Sequence, residues 1–195
     1  MPPIFSEKER ELILNELKTN ALECLKDTGI KKTTVDQLTQ LAGISKGAFY
    51  IFYNAKEDLF ADILNDAANK IIREAQNGIQ NPETKTSDLT GIFLNFFDKM
   101  ADSLLAGLSK EDIDCLLKKM QKENLVFLAG FQNMFPAALF ENFNLRRGMD
   151  IQGFLQAAGV VYSNIFNYDF YGATKDEFKR SQRFILDSLI KNTFE

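Results

Sequence analysis

The stretch from Thr33 to Phe60, TTVDQLTQLAGISKGAFYIFYNAKEDLF, decides how this chain is read. Thr34 followed by Gln37 has the form of a capping box, in which a hydroxyl takes the amide of the third helical residue while the Gln side chain reaches back. A helix therefore starts at Thr34. Val35, Leu38, Leu41 and Ala42 recur at helical spacing on one face, and Gly43 stands where a helix end adopts a left-handed conformation. Ile44 follows as an apolar peg. Ser45 is a second N-cap, opening a helix through Lys46, Gly47, Ala48, Phe49 and Tyr50. Two short helices meeting across such a turn form a helix-turn-helix. Asn54 with Glu57 repeats the capping pattern, so a third helix begins near Lys56.

Thr33, Thr34 and Val35, then Ala42, Gly43, Ile44, Ser45, Lys46, Gly47, Phe49 and Tyr50, then Lys56, Glu57, Leu59 and Phe60 together resemble the N-terminal DNA-binding domain of the TetR family of bacterial transcriptional regulators. The resemblance covers about a third of the chain. It implies a homodimer that places a recognition helix in the major groove, and a C-terminal helical domain that binds a small molecule and dimerises. It also implies site residues. Thr34 and Lys56 fall on phosphates, with Ser45, Lys46, Gly47 and Tyr50 on or beside the duplex, while base reading falls to Ser45, Lys46, Ala48 and Ile51. The chemistry suits those roles: helix-start amides and a Tyr hydroxyl donate to phosphate, Gly47 permits close backbone approach, and Lys reaches guanine O6 or N7. Ala55 departs from the family, which usually has a capping Ser there, so the cap passes to Asn54.

The rest of the sequence bounds the reading. With 195 residues and 45% hydrophobic content, the chain has material for a helical DNA-binding domain over residues 1–55 and a larger all-α effector-binding and dimerisation domain over 56–195. Net charge is −4, yet residues 31–56 carry Lys31, Lys32, Lys46 and Lys56 against Asp36 alone, a local balance of +3. A focused basic patch on an acidic chain suits phosphate binding with little non-specific adherence. No His is present, which removes the commonest general base and metal ligand. GxSxG, P-loop and GxGxxG patterns are absent too, so neither catalysis nor a cofactor is expected. Cys24 and Cys115 lie far apart without CxxC spacing, which argues against a disulfide framework or zinc and for a reducing cytoplasm.

Outward from the motif, Ser6 with Glu9 caps a first helix that Gly29 closes, and no signal pattern precedes it. Apolar residues from Leu59 to Ile79 predict a long helix ending before Pro82. Further helices are expected from Ser87 to about Ala106, Ser109 to about Lys122, Asn124 to Phe143 with a break at Pro136, Asp150 to about Tyr168, and Thr174 to about Thr193. The longest weakly polar run, Phe154 to Phe166, is too short for a bilayer, which takes about 20 residues. Phe93, Phe96, Phe97, Met100, Met120, Phe127, Phe131, Met134 and Phe135 lie on the middle helices, where the resemblance puts an effector pocket; such a lining suits an apolar or aromatic ligand. The last helix pair is the expected dimer interface, through Phe154, Ala158, Val161, Tyr162, Ile165, Phe184, Ile185 and Leu189. Two alternatives stay open: a ligand-binding helical protein without operator binding, and an activator in place of a repressor.

Overall fold

The computed structural model describes residues 4–164 and 174–195. Among the described residues the regular elements are helical, and the sole extended pairing is an isolated antiparallel bridge between Leu145 and Phe194. The chain forms two compact units, one of residues 4–66 with 107–125, the other of 67–106 with the described part of 126–195. This differs from the single cut at 55/56. The first turns of the long helix stay with the N-terminal unit, and so does a segment that returns to it forty residues later.

In the N-terminal unit α1 (Glu7–Asp27) begins at Ser6, whose capping box with Glu9 forms as the sequence predicts. Its inward stripe is Leu17, Ala21 and Cys24. A four-residue helix unforeseen in the sequence, α2 (Gly29–Lys32), follows directly. Then come α3 (Val35–Leu41) and α4 (Lys46–Phe52), both starting at the expected caps. The long α5 (Lys56–Gln80) packs Leu59, Phe60, Ile63 and Leu64 inward and stops ahead of Pro82. Its start is capped differently from expectation. The amide of Ala55 donates to the Asp58 carboxylate at 3.0 Å, so the reach-back half of a box forms one residue later than the Asn54–Glu57 pairing. Glu57 instead is buried, accepting from the Cys115 thiol at 3.4 Å. The α7 helix (Lys110–Leu117) completes the unit; it starts at Ser109 as predicted but ends five residues before Lys122.

The C-terminal unit contains the remainder of α5, α6 (Leu89–Ala101), the short α8 (Phe131–Met134), α9 (Ile151–Ser163) and α10 (Lys175–Thr193). Ser87 is not the cap of α6. A 3-10 turn over Thr86–Asp88 leads into it, closed by the Lys85 amide donating to Asp88. Where one helix broken at Pro136 is expected between Asn124 and Phe143, the chain runs through four short turns, because Gly130 and Pro136 each interrupt it within seven residues. The start of α10 at Thr174 carries the predicted capping box with Glu177, and the described part of α9 starts at Asp150. The expected extension of α9 to Tyr168 lies outside the described residues. No described helix is long and apolar enough to cross a membrane.

Candidate functional site

Around the turn between α3 and α4 the local chemistry is fully formed. The Thr34 hydroxyl accepts the Gln37 amide at 3.1 Å. Gly43 sits at φ +65°, a region that costs any side-chain-bearing residue about 1 kcal/mol or more, and the Ile44 amide closes the turn on the Thr39 carbonyl at 3.0 Å. The Ser45 hydroxyl accepts the Ala48 amide at 3.0 Å, which leaves its own proton available for an outside acceptor. Leu38 and Phe49 are fully buried, and they fix how the two helices meet.

That packing sorts the expected DNA contacts. Thr34, Ser45, Lys46, Gly47, Tyr50 and Ile51 are all exposed, with Tyr50 and Ile51 presenting large rings and branches to solvent despite their apolar character. Tyr50 is propped edge-on by Phe49, ring centroids 5.5 Å apart. Nothing but the Ser45 hydroxyl, at 3.8 Å, stands near the position a Gly47 side chain would occupy, so within the free protein Gly47 answers to no internal crowding. Lys46 pairs with Asp36 at 2.8 Å, which holds its ammonium above the ordinary lysine range through the hydrogen bond and the charge. Exposed pairs of this kind are worth little, so the Lys46 side chain is readily exchanged to a phosphate or base.

Two residues leave the set. Ala48 is buried beside Phe49 on the inward side of α4. Lys56 does not face outward: its ammonium donates to the carbonyls of Ile30 at 2.6 Å, Lys31 at 3.2 Å and Thr33 at 2.5 Å. An ammonium has three donors and all three are taken, which makes Lys56 a clamp on the carbonyl end of α2 in place of a phosphate contact. The positive charge left outward in this region includes Lys31 and Lys32, both exposed, which composition marks as basic but which no motif singles out.

In the C-terminal unit, eight of the nine expected pocket residues, Phe93, Phe96, Phe97, Met100, Phe127, Phe131, Met134 and Phe135, are buried together. They touch one another. Phe131 and Phe135 stand 4.7 Å apart, Phe96 and Phe135 5.0 Å, Phe93 and Phe135 5.4 Å, so the rings fill the space they were expected to line. Tyr162 stacks on Phe96 at 5.5 Å and donates to the Phe127 carbonyl at 3.4 Å; burial pushes its phenol far above the ordinary range. Met120 belongs to the N-terminal unit, in a shallow depression with Asp58, Ala61 and Asn65. A groove of about 430 Å³ in the C-terminal unit is lined by other residues, among them Ala137, Phe140, Phe143, Leu145 and Ile151. Phe140 is also a ring neighbour of Phe93, at 6.4 Å.

The expected dimer residues divide by face. Phe154, Ala158, Val161 and Tyr162 point into the unit's own core. Phe184 and Ile185 point out, Leu189 is half-buried, and Ile165 lies outside the described residues. Val160, not foreseen, is 65% exposed on α9 and Phe184 is 74% exposed on α10, two helices that pack against each other. The small residues of α9 serve internal packing: a methyl on Gly159 would meet the Phe131 side chain at 3.0 Å.

Cys115 is half-buried, and burial together with its hydrogen bond to Glu57 raises its thiol above the ordinary value. Since the thiolate is the reacting form, Cys115 should alkylate with iodoacetamide more slowly at neutral pH than a free thiol, its rate rising at higher pH than usual. Glu57→Gln should bring that rise down.

Residues 19–63 match the family described as bacterial regulatory proteins, tetR family. The fatty acid metabolism regulator protein of Bacillus subtilis (strain 168) is 23% identical over 137 residues, spanning 68% of this chain and 70% of that protein. The HTH-type transcriptional repressor KstR2 of Mycolicibacterium smegmatis is 29% identical over 84 residues, 43% of this chain and 41% of its own length. The fold is shared with the transcriptional regulator FadR from Bacillus subtilis, solved in complex with stearoyl-CoA, at a TM-score of 0.56 and 15% identity over 91% of this chain and 98% of that one. With the capped helix pair, its glycine turn and its outward Ser, Lys and Tyr in place, residues 19–63 carry the DNA-binding helix-turn-helix of the TetR family, and the chain is similar to transcriptional regulators built on it.

Proposed function

We propose that this regulator is a repressor that binds a palindromic operator as a homodimer and is released by a small, largely apolar or aromatic effector. The observation that carries the DNA half is the outward constellation of Thr34, Ser45, Lys46, Gly47, Tyr50 and Ile51 around the Gly43 turn. Thr34 and Tyr50 would position the backbone, and Lys46 with Ile51 would read bases. As a DNA-binding protein with two free cysteines, it would act in the reducing cytoplasm.

The dimer would form through the outward faces of α9 and α10, where Val160, Phe184 and Ile185 leave apolar area uncovered. Two recognition helices must lie about 34 Å apart to enter successive major grooves, so a change in that span lowers affinity. Ligand and operator are then negatively coupled. The aromatic cluster supports an apolar effector, and the groove beside Phe140 offers a route to it, since parting Phe140 from Phe93 opens the cluster from that side. Stearoyl-CoA, the ligand in the FadR complex, is the first probe to try.

Fluorescence anisotropy tests the reading, using DNA from immediately upstream of the gene against scrambled DNA over a salt series. Preferential binding with a steep salt slope is expected; absence of binding at low salt would remove the operator. Lys46→Ala should weaken operator affinity about tenfold and reduce the salt slope by roughly one phosphate equivalent if Lys46 meets the backbone, or relax one base position at unchanged slope if it meets guanine. An effector should raise the melting temperature of the free protein while lowering operator affinity, the two effects sharing one concentration dependence.

A further inference from the structure

Asp112 lies in α7, yet its carboxylate holds two helices at once. One oxygen accepts the Ser109 amide at 3.3 Å and the Ser109 hydroxyl at 2.6 Å, which completes the cap of its own helix. The other accepts the amides of Ile30 at 2.6 Å and Lys31 at 3.2 Å, 82 and 81 positions earlier. Only 6% of the residue is exposed. The approach is so close that a side chain on Gly29 would meet the same oxygen at 2.9 Å, and Gly29 is at φ +79° besides, so glycine is required there twice over. The carbonyls of the same two residues, Ile30 and Lys31, are those that Lys56 grips. A helix of four residues has almost no stability of its own. This one is held by its amides from one side and by its carbonyls from the other.

What the grip fixes is the direction of Lys31 and Lys32, the exposed cations of α2, two residues ahead of the Thr34 cap. We propose that Asp112 is a positioning residue for operator binding: it holds α2 so that Lys31 and Lys32 meet phosphates beside the start of α3. The proposal rests on the operator-binding reading above. A buried carboxylate has no contact with DNA to lose, and deleting a negative charge should by itself draw the polyanion closer. The two roles therefore predict opposite signs.

The test is operator anisotropy over a salt series for the full chain and for Asp112→Ala, Asp112→Asn, the pair Lys31→Ala with Lys32→Ala, and that pair combined with Asp112→Ala. Removing both lysines should lower the slope of log affinity on log salt by roughly 1.8, two phosphates at 0.9 each. Asp112→Ala should reproduce most of that drop with about tenfold weaker binding at moderate salt, and should add little on top of the lysine pair. Asp112→Asn keeps an acceptor for Ile30 and Lys31 and should retain more of the affinity. It also serves as the reporting variant should Asp112→Ala fail to fold. Hydrogen exchange at the Ile30 and Lys31 amides should quicken in step with the loss. Asp112 variants that fold and bind as tightly as the unaltered chain or tighter, or whose effect adds in full to that of the lysine pair, overturn the proposal. If the unaltered chain itself binds no operator, it is the operator reading that fails.

Discussion

Phe93→Ala destabilises the C-terminal unit by about 3–5 kcal/mol, more than any other single truncation we expect in this chain. Phe93 is fully buried and has five ring neighbours among the described residues: Phe97, Phe131, Phe135, Phe140 and Phe154. It bridges two groups. On one side stand Phe96, Phe97, Phe131, Phe135 and Tyr162; on the other, Phe140, Phe143, Phe154 and Phe194, with Phe154 and Phe194 at 5.1 Å. Truncation removes the transfer free energy of a phenyl group and leaves a void at a junction where neighbours cannot all move in without breaking another contact. For a chain of this size, each kcal/mol lowers the melting temperature by about 2–4 °C, so a drop on the order of 10 °C is expected in calorimetry. Phe93→Leu should cost much less, because it keeps most of the volume. A Phe93→Ala protein that melts within a degree or two of the unaltered chain would show that the cluster is loosely packed and already open to a ligand.

The second large effect is on assembly. Phe184→Asp is expected to yield a monomer by sedimentation at micromolar concentration, while circular dichroism stays helical. The side chain is 74% exposed, so its replacement removes almost no packing within the chain. At a dimer contact the same change buries an unpaired carboxylate against apolar surface, which costs several kcal/mol. Operator affinity should fall with it by about 10²–10⁴, the gain that linking two half-site binders confers. Phe154→Asp makes a useful contrast: Phe154 faces inward, so the chain should unfold outright. A Phe184→Asp protein that remains dimeric would move the interface away from the outward faces of α9 and α10.

The DNA-binding end is legible in the sequence because its signals are local. A cap needs only a hydroxyl and an amide three residues apart, and a turn at positive φ selects glycine whatever surrounds it. Ser6, Ser45, Ser109 and Thr174 cap as their sequence contexts predict, and Thr34 does so through the hydroxyl half of its expected box. Where the outcome depends on a partner from elsewhere in the chain, the sequence is silent. Lys56 looks like a free cation until three carbonyls of α2 and its flank are placed around it. Periodicity marks Phe154, Ala158, Val161 and Tyr162 as apolar, as it does Phe184 and Ile185, but it does not say which stripe meets the chain's own core. The pieces from Lys122 to Phe140 were illegible for a different reason. Five residues there are aromatic or methionine, large enough to bury themselves from almost any backbone path, so their spacing carries little helical signal.

The return of residues 107–125 to the N-terminal unit has a consequence for anyone who would cut or recombine this protein. The part that recognises DNA is not a contiguous cassette. An excised fragment ending near residue 66 would lack Asp112 behind α2, Leu116 from its core and the thiol that meets Glu57. A chimera that grafts this recognition helix pair onto another regulator's sensing half should work only if the stretch from 107 to 125 travels with it, as a second insert.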